Sequence, residues 1–210
     1  MTTNNKTEQT DIADLAMLDS FVYGATGNPN ATPAGWTVFD KSLPNNDGYL
    51  GIAYQNIATG EIVIANRGTD PDHGLGLLAK NLASDLAVAF YRVPQVDTDA
   101  LNFAEQVFGL DKNNCNIVET GHSLGGNEAQ YAAVMADYRT NGQDKVAGLV
   151  TFQSPGVNSD VVKAAASENL LALNLYNQGD VIHLAGGDHI GPSWSIAAGG
   201  IVSLTWTVMQ

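Results

Sequence analysis

Residues 116–126 read Asn-Ile-Val-Glu-Thr-Gly-His-Ser-Leu-Gly-Gly and carry the strongest fold signal in the chain. The first five of them predict a β-strand. The residues after it predict a helix with one face of small side chains, because alanines recur at 129, 132, 133 and 136. Gly121 and Gly125 flank Ser123 two residues on either side. A strand, a tight glycine turn and a helix lift a serine hydroxyl out of a sheet. The pattern therefore favours a nucleophilic serine over a purely structural turn.

The rest of the chain predicts alternating strands and helices. Strands are expected at 49–55 and 61–65 as a hairpin, and buried strands at 146–152 and 170–176. Helices are expected at 12–23, 77–89, 98–108 and 159–169. From residue 116 onward, the order strand, helix, strand, helix, strand predicts parallel pairing with right-handed crossovers. We therefore expect one α/β domain over residues 1–210, with a mostly parallel sheet and helices on both faces.

Composition excludes several classes of partner and site. The chain of 210 residues has 9 basic and 22 acidic residues, a net charge of −13. This charge argues against nucleic acid and against attraction to anionic membranes. Cys115 is the single cysteine, which excludes an internal disulfide and a zinc site built from several cysteines. Residues 1–10 lack the apolar core of a secretory signal, so the compartment stays open between the cytoplasm and export without a cleaved signal.

A serine nucleophile needs a base and an acid that orients the base. Two histidines follow Ser123 in the chain, His183 and His189. Asp180 is the favoured acid because it comes directly after the predicted strand 170–176. Its rivals are Asp160, which opens a predicted helix, and Asp188, which adjoins a histidine.

Attack on a carbonyl also needs donors for the oxyanion. The backbone N–H of Leu124 is one candidate, because it follows the nucleophile. Thr69, in the turn after the strand 61–65, could offer both a backbone N–H and a hydroxyl. An ordinary polar turn is the alternative at this position.

Several motifs in order resemble the class-three lipase family, whose members are α/β-hydrolases that cleave acyl esters. They are Ile62 to Ala65 running into Arg67-Gly68-Thr69, the glycine turn 121–126, Ser154-Pro155-Gly156-Val157, Asp180-Val181, and His189 followed by Gly191 and Trp194. The resemblance covers roughly residues 50–195, and the combined order is more specific than any one motif.

The resemblance implies an α/β-hydrolase fold and a catalytic triad of Ser123, Asp180 and His189. It implies Thr69 and Leu124 as oxyanion donors, and it selects His189 over His183. Asn81 and Asp85 resemble the polar pair that supports the oxyanion loop in the family. No metal or organic cofactor is required by this chemistry.

The substrate is expected to be an acyl ester or a lipid, with transient contact to a lipid interface. Residues 71–78 contain Gly74 and Gly76 beside three leucines, which predicts either a short lid or a plain loop. A phospholipase or acyltransferase of the same fold stays open as an alternative. So does a non-catalytic binding module, although such a module has no need of the complete set of triad residues.

Overall fold

The computed structural model describes residues 10–24, 31–43, 48–68, 82–166 and 169–196, and within 82–95 it describes the backbone alone. The predicted oxyanion donor Thr69, the lid or loop 71–78 and Asn81 lie outside the described residues. The side chain of Asp85 lies outside them as well.

The described residues form one mixed sheet with helices. The strands are β1 Trp36–Lys41, β2 Gly51–Asn56, β3 Ile62–Asn66, β4 Ile117–His122, β5 Gly148–Phe152, β6 Ala172–Asn177 and β7 Ser193–Ile196. The helices are α1 Ile12–Val22, α2 Leu82–Leu110, α3 Leu124–Thr140 and α4 Ser159–Ala165. The sheet is seven-stranded and follows chain order. β1, β2 and β3 pair antiparallel, and β3 to β7 pair parallel, which confirms the predicted mostly parallel sheet.

Alternate residues of the central strands face two separate apolar cores. In β3, Ile62 and Ile64 pack with residues of α2 and α3, whereas Val63 and Ala65 pack with residues of α1. All four side chains are fully buried. A strand buried on both faces has this continuous apolar sequence because successive side chains point to opposite sides. The predicted helices on both faces are confirmed.

The structure corrects the prediction of two helices at 77–89 and 98–108. One helix, α2, runs through this part of the chain from Leu82 to Leu110 and includes Pro94. Proline normally interrupts a helix. Beyond it, however, α2 buries a stripe at helical spacing, namely Val96, Ala100, Phe103, Ala104 and Val107. Packing of this stripe on the sheet offsets the cost of the proline. Despite its length, neither α2 nor any other helix in the described part of the chain is apolar enough to cross a membrane.

Two strands of the sheet were not predicted. β1 and β7 lie at its two edges. β7 has four residues, and three of them are exposed, so its sequence carries no alternation of buried and exposed positions. It is a strand because it pairs in register with β6, from Asn174 and Ser193 onward. α4 is also shorter than predicted, ending at Ala165.

Candidate active site

Ser123 occupies the turn between the end of β4 and the start of α3. Its backbone has φ 56° and ψ −130°, a conformation that residues other than glycine rarely adopt. Its N–H donates to the carbonyl of Phe152 at 3.0 Å, which ties the turn to the neighbouring strand β5. The serine is partly exposed. We call residues 121–126 the elbow.

The glycines of the elbow are required by close approach of backbones. A Cβ at Gly121 would collide with the backbone of Gly125, and a Cβ at Gly125 would collide with the carbonyl of Asn66. A Cβ at Gly126 would lie 2.5 Å from the Cβ of Ser154. Strand and helix therefore cross at a distance that excludes side chains, as the sequence pattern predicts.

One of the two predicted oxyanion donors lies at the elbow. Leu124 is the first residue of α3, so its N–H has no carbonyl one turn earlier to donate to. The second donor, Thr69, is outside the described residues, but Gly68 beside it packs on the elbow. A Cβ at Gly68 would lie 3.1 Å from the Gly125 nitrogen and 2.6 Å from the His122 carbonyl oxygen. The loop after β3 thus reaches the same edge of the sheet as Ser123.

Tyr23, just after α1, contacts both of these segments. Its hydroxyl donates to the carbonyl of His122 at 3.3 Å and lies 3.4 Å from Nδ1 of the same residue. A Cβ at Gly68 would lie 2.5 Å from this hydroxyl. Burial raises the pKa of Tyr23, so the side chain remains a neutral donor. Sequence reasoning missed this residue, because the contact spans 99 positions and has no local signal.

The ring of His122 is held in one orientation. Its Nε2 lies 2.9 Å from Oε1 of Gln153. An amide oxygen can only accept, so Nε2 carries the proton. Gln153 itself has φ 48°, a second strained residue at the end of β5. Strained backbone on two adjacent strand ends is typical of a functional site.

Buried acidic side chains lie behind the elbow. Glu119 and Glu128 are each 2% exposed or less. Nδ2 of Asn66 donates to Glu119 at 2.6 Å, and the hydroxyl of Tyr49 donates to the Asn66 oxygen at 2.7 Å. Burial raises the pKa of both glutamates, and the nearby Asp97 raises that of Glu128 further. Burial thus favours the neutral form of both acids, while Arg67 opposes the shift at Glu128.

The predicted acid Asp180 follows the end of β6. Its Oδ1 accepts from the N–H of Ile182 at 2.9 Å, and its Oδ2 has no partner. The two rivals are exposed on the surface. Asp160 is exposed in the first turn of α4, where it pairs with Lys163 at 3.0 Å, while Asn158 caps that helix. Asp188 is exposed as well. Its carbonyl pairs with Val157.

The two histidines after Ser123 stack on each other. The rings of His183 and His189 have centroids 4.3 Å apart, and His183 also stacks on Tyr176 at 3.7 Å. Nε2 of His189 lies 3.0 Å from the carbonyl oxygen of His183, to which it donates. Burial lowers the pKa of His183, as does the neighbouring His189. We call residues 178–190, which carry Asp180 and both histidines, the late loop.

The predicted triad is not joined by hydrogen bonds in this structure. Among the described residues, His189 has no hydrogen bond to Ser123 and none to Asp180. Oδ2 of Asp180 and Nδ1 of both histidines are buried without a partner. The late loop thus contains the polar atoms that a triad needs, in an arrangement that leaves them unpaired.

Gln130 on α3 connects the elbow to the late loop, a connection that sequence reasoning missed. The side chain is fully buried. Its Nε2 donates to Oγ of Ser154 at 3.1 Å and to the carbonyl of Pro155 at 3.0 Å. Its Oε1 accepts from the N–H of Ile190 at 2.9 Å. Ile190, which follows His189, is therefore hydrogen-bonded to α3, the helix that follows Ser123.

A second buried amide fastens the same segment from the sheet side. Nδ2 of Asn174 on β6 donates to the carbonyl of Ile190 at 2.8 Å, and Oγ1 of Thr151 donates to the amide oxygen of Asn174 at 2.7 Å. Both backbone polar groups of Ile190 are thus paired with side chains. The end of the late loop is firmly placed, while Nε2 of His189 is bonded to the carbonyl of His183.

No group of histidine, cysteine and acidic side chains in the described part of the chain is arranged to hold a metal ion. Cys115 is free and partly buried. Burial raises the pKa of its thiol, as does Asp111, so a neutral thiol is favoured over a reactive thiolate.

Comparison with solved structures places the fold among lipases. The chain is similar to the nonglycosylated LIP2 lipase of Yarrowia lipolytica, with a TM-score of 0.65, 17% identity and coverage of 88% of this chain and 78% of that one. A triacylglycerol lipase described as having a serine protease triad matches with a TM-score of 0.61, 18% identity and coverage of 88% and 80%. A deletion mutant of the Rhizomucor miehei lipase propeptide complex matches with a TM-score of 0.61, 17% identity and coverage of 87% and 65%.

These identities establish the shared α/β-hydrolase fold and no more. The chain spans slightly less than two thirds of the length of the Rhizomucor miehei complexes, at 65% and 62%. No curated protein sequence matches the chain. The model of the Mbeg1-like family matches residues 45–172, which include the elbow and most of the sheet. The chain therefore belongs to the Mbeg1-like family, with a lipase-like α/β-hydrolase fold.

Proposed function

We propose that this protein hydrolyses acyl esters through an acyl-enzyme on Ser123. The Oγ of Ser123 attacks the ester carbonyl carbon, and His189 takes its proton and passes it to the departing alcohol. The N–H of Leu124 and the donors of Thr69 stabilise the oxyanion of the tetrahedral intermediate. Water then repeats the attack on the acyl-enzyme, and the acid is released.

The observation that carries this proposal is the strained backbone of Ser123 at the tip of β4. A residue is held at φ 56° only when its surroundings outweigh the strain, which is of order 1–3 kcal/mol. The glycines around it allow a backbone crossing that presents the hydroxyl and leaves the N–H of Leu124 beside it. A structural turn would gain nothing from a serine in this conformation.

The base step requires His189 to change its hydrogen bonds. Its Nε2 now donates to the carbonyl of His183, so the ring must leave that carbonyl before Nε2 can face Ser123. Oδ2 of Asp180 and Nδ1 of His189, both buried without partners, are the two atoms that would then pair. Their pairing would place the proton on Nδ1 and free Nε2 as the base.

Labelling with a fluorophosphonate tests the nucleophile directly. We expect the wild-type protein to be labelled on Ser123, and Ser123→Ala to lose both the label and turnover of p-nitrophenyl esters. Ser159→Ala, an exposed serine at the start of α4, is the control and should behave as wild type. Labelling that persists in Ser123→Ala would contradict the proposal.

The unpaired triad favours one second candidate, a lipase-like module that binds its ligand without cleaving it. Such a module would have no use for the rearrangement of His189. Absence of label and of turnover in wild-type protein, with the fold intact by circular dichroism, would favour this function over hydrolysis.

A further inference from the structure

The side chain of Asn66 links the ends of β3 and β4 just before the elbow. Asn66 is the last residue of β3 and pairs in register with Gly121, the first residue of the elbow. Its Nδ2 donates to Oε2 of Glu119 at 2.6 Å and to the carbonyl of Thr120 at 3.2 Å. Because a backbone carbonyl can only accept, these bonds fix which end of the amide faces β4.

The other end of this amide is held by a tyrosine. The hydroxyl of Tyr49 donates to Oδ1 of Asn66 at 2.7 Å. The Tyr49 ring in turn lies edge-on against Phe103 of α2, with ring centroids 6.4 Å apart. Asn66 and Glu119 are fully buried, and Tyr49 is 4% exposed. We call Tyr49, Asn66 and Glu119 the Asn66 network; it holds the amide in one orientation.

The backbone that carries this amide packs directly on the elbow. A Cβ at Gly125 would collide with the carbonyl oxygen of Asn66 and would lie 2.7 Å from the nitrogen of Gly68. A Cβ at Gly68 would in turn lie 3.1 Å from the nitrogen of Gly125. Each of these glycines adjoins a predicted oxyanion donor, Leu124 in the elbow and Thr69 in the loop after β3. A shift of Asn66 would therefore displace the neighbours of both donors.

Packing alone does not call for an amide at this position. The four preceding residues of β3, from Ile62 to Ala65, are apolar and fully buried, and Asn66 ends this run at the level of the elbow. A buried amide is unfavourable unless its polar atoms are paired, and paired hydrogen bonds have a stricter geometry than apolar contacts. The amide thus fixes the end of β3 more narrowly than another aliphatic side chain would.

We propose that Asn66 is a positioning residue for the oxyanion site: held by Tyr49 and Glu119, it fixes the start of the loop after β3 against the elbow. The inference rests on the proposed function, since it concerns the oxyanion that forms when Ser123 attacks an ester. Asn66 touches no substrate atom and acts through the backbone. Because the oxyanion exists only after attack, loss of this positioning should lower kcat and leave KM little changed.

The first test compares p-nitrophenyl butanoate with its thiono analogue, in which sulfur replaces the carbonyl oxygen. Sulfur accepts hydrogen bonds weakly, so the oxyanion donors favour the oxygen ester. Asn66→Leu removes all three hydrogen bonds of the amide at similar size. It should lower kcat on the oxygen ester about tenfold or more, since one oxyanion donor contributes about 10²–10³-fold. The ratio of kcat/KM for the oxygen ester to that for the thiono ester should fall at least fivefold; an unchanged ratio would overturn the proposal.

Changes at the two partners of Asn66 test the network in smaller steps. Tyr49→Phe keeps the ring and removes the hydroxyl, and Glu119→Leu removes an acceptor, so each should lower the same ratio at least twofold. Glu119→Gln should recover most of the loss in Glu119→Leu, because its amide oxygen can accept from Nδ2 of Asn66. Burial raises the pKa of Glu119, which already favours a neutral side chain there. Equal ratios for the two Glu119 variants would contradict the network, and Tyr49→Phe decides the question if Asn66→Leu does not fold.

A control variant separates positioning from a general loss of stability. Thr140 is the last residue of α3, at the opposite end of that helix from the elbow. Its Oγ1 donates to the carbonyl of Ala136 at 2.7 Å and accepts from the N–H of Asp144 at 2.9 Å. Thr140→Val removes both bonds at nearly the same size. It should lower the urea midpoint of unfolding and leave the ratio of the two esters at the wild-type value; a fall like that of Asn66→Leu would mean that the ratio reports stability alone.

Labelling separates failure of the positioning role from failure of the proposed function. If Ser123 takes the fluorophosphonate label and the ratio is unchanged in Asn66→Leu and in Tyr49→Phe, the positioning role is wrong and the function stands. If Ser123 is not labelled in the wild-type protein, the function fails, and the positioning role fails with it. A labelled Ser123, a lower ratio in the network variants and the wild-type ratio in Thr140→Val would together support the proposal.

Discussion

The elbow and the late loop place their functional groups by different means. In the elbow, backbone does the positioning: the N–H of Ser123 donates to Phe152 and its carbonyl accepts from Gly126, both at 3.0 Å. In the late loop, Asp180 and His189 each retain a buried polar atom without a partner. Under the proposed function, folding alone would place the Ser123 nucleophile, whereas His189 and Asp180 would have to change their side-chain hydrogen bonds before they act as base and acid.

The largest expected effect concerns the two histidines of the late loop. His189→Ala should lower kcat by about 10³-fold or more, because the members of a triad act as a unit. His183→Ala should stay within about tenfold of wild type, since its ring supports His189 by stacking. Steady-state kinetics on one short ester measures both. The reverse order of effects would assign the base to His183.

Gly125→Ala tests how rigidly the elbow is packed. The new Cβ would collide with the carbonyl of Asn66 and lie 2.7 Å from the nitrogen of Gly68. We expect a loss of about 2–4 kcal/mol in the free energy of unfolding, as for an overpacked backbone crossing.

The control is Gly109→Ala in α2, where an added Cβ has no neighbour within 4 Å. It should stabilise the protein by up to about 1 kcal/mol, because alanine favours the helix. Urea unfolding of both variants gives the comparison. Equal stabilities for the two variants would mean that the backbone crossing at the elbow shifts easily to accommodate a side chain.

Gln130→Leu tests the connection between the two regions. It leaves the N–H of Ile190 buried without its acceptor and should cost about 1–3 kcal/mol of stability. As a positioning residue, Gln130 should affect kcat more than KM, and Gln130→Glu should recover part of kcat because its carboxyl can still accept from Ile190.

Gln106→Leu, on the exposed face of α2, serves as the control for loss of an amide. A variant Gln130→Leu with reduced stability and an unchanged kcat would show that the late loop needs no anchor to α3.

Asp97→Asn tests the buried acids behind the elbow, and its effect appears in the pH dependence. Burial raises the pKa of Asp97 to about 8. The folded state therefore binds this proton more tightly than the unfolded chain, in which the pKa is about 4. The stabilisation is complete below about pH 4 and is lost as the pH rises towards 8, with a slope of up to about 1.4 kcal/mol per pH unit.

Asp97→Asn should lose this slope, so that between pH 6 and pH 7 wild type loses about 1 kcal/mol more than the variant. Asp160→Asn removes an exposed carboxylate instead and should keep the slope. Urea unfolding at the two pH values measures the difference. Parallel curves for wild type and Asp97→Asn would exclude Asp97 as the group that titrates.

Sequence reasoning reached the elbow because its requirements are local. The glycines at 121, 125 and 126, the apolar strand before them and the small-residue helix after them each correspond to a contact in the structure. The same periodicity predicted the parallel core of the sheet. Periodicity did not predict β7, an edge strand that is defined by its pairing with β6. It also did not predict that α2 continues across Pro94. It also missed Tyr23 and Gln130, whose partners are 99 and 60 positions away.

The sequence alone located the elbow, because a backbone crossing that leaves no room for side chains requires glycines close together along the chain. It also determined which residues could serve as acid and base, since few histidines follow Ser123. How those residues are arranged in space depends on the tertiary structure. The hydrogen bond between Thr120 and Asp19 and the anchoring of Ile190 to Gln130 join segments that are 101 and 60 positions apart. Such contacts follow from packing of the whole sheet and have no local pattern.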